Sequence, residues 1–114
     1  MEASQFIDLA LARGSAEGIA RLSAAEQIPF LISEAELYCD KDGIDALLHR
    51  YGAESLPAFS RAFMAAGATK IARALLALAR EPSSEALLSA TNVLITSREG
   101  YSWESICTAV EPHI

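Results

Sequence analysis

Five carboxylates fall within twelve residues of this chain: Glu34, Glu36, Asp40, Asp42 and Asp45, relieved only by Lys41. Carboxylates grouped this way can hold a divalent cation, serve as acid and base, or offer a surface to a basic partner. The calcium reading fails on spacing. Asp40-Lys41-Asp42-Gly43-Ile44-Asp45 lacks the regular ligand positions and the closing Glu of a calcium loop. A solvated helix end and an acidic patch for a basic protein are the readings left. His49 follows Asp45 by four residues, so the two can pair on one helix face. Such a dyad could serve as a general base and its orienter, or simply as a surface contact. The spacing supplies no nucleophile, because Ser55 reads as a helix cap and Ser60 as a surface hydroxyl. His113 stands at the end of the chain and is expected to fray.

Glu34 differs from the other acids. On a helical wheel it falls between Phe30 and Leu37 on one side and Leu31 and Tyr38 on the other. Glu36 and Asp40 lie away from that apolar arc. A carboxylate inside such an arc costs several kcal/mol unless it is paired, hydrogen-bonded or protonated. Arg50 and Tyr51 are near in sequence, and Arg61 or Arg73 could arrive through the fold. Glu34 therefore reads as a buried carboxylate fixing helix register, as a functional carboxylate, or as an exposed one if Pro29 shifts the helix phase.

Charge is unevenly distributed. Acids outnumber bases 15 to 9, yet no acid occurs between Ser55 and Arg80. That window carries Arg61, Lys70, Arg73 and Arg80. A basic centre between acidic flanks points to internal complementarity or a steered partner surface. The overall net charge of −6 argues against direct nucleic-acid binding. Phosphate-loop, dinucleotide and nucleophile-elbow motifs are absent, and no His/Cys cluster has metal spacing. No cofactor or metal is expected. The N-terminus lacks the basic n-region of a signal peptide, and no apolar run is long enough for a membrane span. Cys39 and Cys107 read as lone reduced thiols, which suits a cytoplasmic protein, with a disulfide between them as the alternative.

The elements that must position these groups read as helices throughout. Ala and Leu dominate, and strand-like alternation does not persist. The expected fold class is all-α: a single domain over residues 1–114, built as a bundle of about six helices with short loops. The first helix is expected over Ala3–Arg13, ended by Gly14. A turn follows near 17–22. Ser23-Ala24-Ala25-Glu26 is a capping box that starts a helix running to Lys41, kinked or restarted at Pro29. Ile44–Tyr51 makes two turns. Ser55 caps the next helix, with Pro57 in its first turn and Gly67 at its end. Thr69 caps Lys70–Arg80, whose Ile71, Leu75 and Leu78 form an apolar stripe. Lys70, Arg73 and Arg80 form its basic face, either solvated or facing a partner. Ser83 or Ser84 caps a helix to Thr96. That helix is apolar around most of its circumference and is expected at the bundle centre. Ser102 caps the last helix, through Val110.

Three blocks carry a family likeness. They are Glu34-Ala35-Glu36 with Asp42-Gly43-Ile44, Leu47-Leu48 with Tyr51-Gly52, and Ala66-Gly67-Ala68 with Ala72 and Leu75-Leu76. The stretch they span resembles a bacterial family of small helical domains of unknown function whose best-known member is an acidic DNA-mimic protein. The chain departs from that family's pattern at Asp42, where the family has a Gly, and at Ile44, Leu47 and Leu48, where it favours aromatics. The resemblance implies the helical fold. It also implies a partner surface at Glu34, Glu36, Asp40 and Asp42, where mimicry carries over.

Together these features lead us to expect a non-enzymatic protein-interaction module. Its acids at Glu34, Glu36, Asp40, Asp42 and Asp45 would engage a basic protein, such as a DNA-binding regulator. A homodimer or other homo-oligomeric accessory protein is the first alternative. A small enzyme using Glu34 or the Asp45–His49 pair is the second.

Overall fold

The 18-residue helix Ala24–Lys41 (α2) is the spine of the molecule, and its start is chemically fixed. The Ser23 hydroxyl accepts from the Glu26 amide at 3.1 Å, and the Ser23 amide donates back to Glu26 Oε1 at 2.9 Å. Arg13, on the preceding helix, donates to both Glu26 oxygens at 3.2 Å. The capping bond from the Ser23 amide, helped by Arg13, holds the Glu26 carboxyl below the usual carboxylate range.

The computed structural model describes all residues, 1–114, and is all-α. It has seven α-helices where about six were expected. They are α1 (Ala3–Glu17), α2, α3 (Ile44–Tyr51), α4 (Leu56–Ala65), α5 (Thr69–Arg80), α6 (Glu85–Thr96) and α7 (Trp103–Val110). Single 3-10 turns follow α1, α3 and α7. No helix is long and apolar enough to cross a membrane.

Apolar area decides which helix is central. Helix α2 buries Ile28, Pro29, Phe30, Leu31 and Ile32 in one continuous stretch, then Ala35 and Cys39. It packs on α1, α3, α4, α6 and α7. Helix α6, expected at the centre, lies at the periphery. It buries only Thr91 and Ile95, while Ala86, Ala90 and Val93 face solvent. Its Leu87, Leu88 and Leu94 are only partly buried, because α6 packs on α5, α2 and α3 along one side and leaves the other to solvent, whereas α2 is enclosed by five helices.

Helices α4 and α5 form a tight hairpin. The turn closes with Ala68 N–H on Phe63 C=O at 2.9 Å and Gly67 N–H on Met64 C=O at 3.0 Å. Gly67 has φ +87°, the left-handed conformation this helix end requires. Ser60 Oγ donates to Ala72 C=O at 2.8 Å and is buried between the two helices, not on the surface. Ile71, Leu75 and Leu78 are fully buried, as the stripe predicted.

Four local expectations are corrected. Helix α1 does not stop at Gly14 but runs on to Glu17. Gly14 is instead a contact point: a Cβ there would lie 2.3 Å from Cδ1 of the buried Phe30. Helix α2 does not restart at Pro29; it continues through it to Lys41, although proline has no amide hydrogen to give to the ladder. Ser55 does not cap α4 with its side chain; its hydroxyl donates back to Gly52 C=O at 2.7 Å. Thr69 is the first residue of α5 rather than its cap.

The Gly14 contact yields a test. An ordinary mid-helix Gly→Ala change stabilises by about 1 kcal/mol. Here G14A is expected to destabilise by about 1–3 kcal/mol, because the methyl overpacks against Phe30. Urea unfolding of the two proteins measures the sign.

Candidate functional site

At about 100° per residue, Glu34 and Glu36 point to nearly opposite sides of α2. The five acids therefore do not form one surface. The fold places them in three different settings.

Glu34 is half-buried and accepts a short hydrogen bond from the Tyr51 hydroxyl of α3. Of the partners considered for it, the hydroxyl is the one that arrives. Arg50 takes another position, its Cζ 4.7 Å above the Tyr51 ring. Tyr51 stands edge-on to Tyr38 at 6.3 Å and to the buried Phe59 at 5.5 Å. Burial, and then the bond to Glu34, push the Tyr51 phenol well above its ordinary value. These groups line a cleft of about 460 Å³ between the end of α1, α2 and α3.

Glu36 and Asp40 share one cation, Arg98. Its Nη1 and Nη2 reach Asp40 Oδ1 and Oδ2 at 2.9 and 2.7 Å, a two-pronged pairing, and its Nε lies 3.2 Å from Glu36 Oε2. The same Glu36 oxygen accepts from the Tyr101 hydroxyl at 2.5 Å. The hydrogen bonds from Arg98 hold the Asp40 carboxyl low. Burial, then the bond to Glu36, raise the Tyr101 phenol. Burial also pushes the neighbouring Cys39 thiol up to about 12, which leaves it unreactive at neutral pH. Cys39 and Cys107 are both free.

The geometry at Arg98 is unusual. The Arg98 amide bonds Ile95 C=O at 3.0 Å and the Glu99 amide bonds Leu94 C=O at 3.0 Å, closing α6 in the manner of a glycine-ended helix. Yet the left-handed position, φ 56°, is held by an arginine. From this position its guanidinium meets Asp40 and Glu36 of α2, contacts that offset the backbone cost.

Beside this cluster lies a second cleft, about 300 Å³, between α1, α2 and α7. Ile7, Leu11, Ile32 and Ile106 line it, and Trp103 stands on its rim, 53% exposed. Its polar end is Glu36, Arg98 and Tyr101. One guanidinium serves two carboxylates, Glu36 in the cleft and the exposed Asp40 outside its lining, so the extra negative charge of the cluster sits beside the cleft.

Asp42 and Asp45 stay exposed without an ion-pair partner in the chain. Asp45 sits in the first turn of α3, where a negative charge suits the helix dipole. The Asp45–His49 dyad does not form: no hydrogen bond or ion pair joins them, and His49 is exposed. On the basic face, Lys70 pairs loosely with Glu99 at 3.7 Å, while Arg73 and Arg80 are exposed and unpaired. No three His, Cys, Asp or Glu side chains come together as a metal site.

Arg98, Tyr101 and Trp103 went unnoticed in the sequence. A signal existed, since Arg98 is the single base among residues 81–114, with two of the chain's eight aromatics close behind it. Comparison with family models, curated proteins and solved structures finds no match to this chain.

Removing the Arg98 side chain should free the α6–α7 loop, and the replacement matters. Alanine keeps the left-handed strain, whereas glycine relieves it. R98G is therefore expected to be more stable than R98A by about 1 kcal/mol, and both less stable than wild type. Thermal and urea unfolding of the three proteins measure the order.

Proposed function

We propose that this protein is a non-enzymatic interaction module that takes a basic, amphipathic protein segment into the cleft between α1, α2 and α7. One observation carries the reading: an apolar cleft, rimmed by a half-exposed tryptophan, ends at Glu36 and Arg98, and a second carboxylate, the exposed Asp40, shares that guanidinium just outside it. Exposed tryptophans at the edge of an apolar slot are common anchors of binding energy. The excess negative charge favours a cationic side chain beside the apolar one. The acids invoked by the DNA-mimic resemblance take a different part in this reading. Glu34, Glu36 and Asp40 are bonded within the chain, the first two lining the clefts, and Asp42 and Asp45 remain free to steer a basic partner from outside.

Trp103 is the only tryptophan and serves as a built-in probe. A synthetic amphipathic helix with leucines on one face and lysines on the other should shift its emission, and binding should weaken as salt screens the charges. The same peptide with glutamates for lysines should not bind. Equal response to both peptides, or to neither, overturns the reading.

A further inference from the structure

The cleft at Glu34 carries a different constellation. A carboxylate, Glu34, and a guanidinium, Arg50, line the same space of about 460 Å³, yet they form no ion pair with each other or with any other residue. Tyr51 holds both. Its hydroxyl bonds Glu34 Oε1, and its ring carries Arg50 at 4.7 Å, within cation–π range. Tyr51 is itself braced by the fully buried Phe59. Glu34 Oε2 has no partner in the chain, and none of the Arg50 N–H donors is used. Phe30 and Tyr38 supply an apolar wall. The volume lies within the roughly 300–1,000 Å³ of small-ligand sites.

Charge selects the ligand. A simple anion would be attracted by Arg50 but repelled by Glu34, and a simple cation the reverse. A molecule carrying both charges satisfies both side chains at once. We propose that this cleft binds a small zwitterion, an α-amino acid with an apolar or aromatic side chain. Its ammonium would rest on Glu34, its carboxylate on Arg50, and its side chain against Phe30 and Tyr38. Tyr51 acts as the positioning residue for both charged groups. The site is separate from the α1/α2/α7 cleft and does not depend on the role assigned there.

Calorimetric titration with L-phenylalanine and L-leucine tests this on the full chain. N-acetyl-L-phenylalanine and phenethylamine serve as controls, each lacking one charge. At least one amino acid is expected to bind with Kd below about 1 mM. Loss of either ligand charge should weaken binding by about tenfold or more, as should E34Q or R50Q. Arg50 is exposed, so R50Q should keep the fold, and circular dichroism verifies it. W103A should leave the affinity unchanged. No binding of either amino acid to the folded protein overturns the proposal. So does binding that survives R50Q, or binding of the controls as tight as that of the amino acids.

Discussion

Arg98 places one guanidinium against two carboxylates of the central helix, and the C-terminal part of the chain is oriented by that contact. Helix α2 carries the largest share of the core on one side and Glu36 and Asp40 on the other. Unpaired, those acids would repel each other across one turn and leave a half-buried charge beside Tyr101. The pairing removes both penalties, but it requires an arginine in a backbone conformation that glycine usually fills. The direction of the α6–α7 loop, the seat of Tyr101 against Phe63 and the placing of Trp103 at the rim of α7 all follow from where that guanidinium must go.

The same physical solution recurs across α2. Two of its half-buried glutamates are each met by a phenol that is itself braced by a buried phenylalanine: Glu34 by Tyr51 on Phe59, and Glu36 by Tyr101 on Phe63. A phenol is an economical partner for such a carboxylate, since it satisfies an oxygen without bringing a second charge out of water. At Glu34, which has no ion-pair partner, it also leaves the charge available. The two clefts flanking α2 are therefore polar at one end and apolar along their walls, the pattern of sites that recognise a ligand with both characters.

Much of this was legible locally. The Ser23–Glu26 box, the ends of α3 at Gly43 and Gly52, the stripe of α5 and the need of Glu34 for a partner all follow from spacings of a few residues. The Glu34 partner was among those considered because Tyr51 lies just beyond the next turn. The partner of Asp40 was not, because Arg98 is 58 residues away and only the packing of α6 on α2 and α3 brings it there. Gly14 shows a different limit. A glycine that ends a helix and one that admits a neighbouring ring look alike in sequence, and only the approach of Phe30 tells them apart. Helix α6 lies further out than its pattern implies, because an apolar wheel shows how much of a helix is apolar but not how many neighbours the fold sets around it.

The central claim is that the α1/α2/α7 cleft, and not the acidic stretch as a whole, is where a basic partner docks. Its most direct test is a ¹H–¹⁵N correlation map of the protein titrated with a cationic amphipathic peptide. The account predicts that the largest shifts fall on the Trp103 indole and on the amides of Leu11, Ile32, Tyr101 and Ile106. Shifts centred on Asp42 and Asp45, or on the basic face at Arg73 and Arg80, would contradict it.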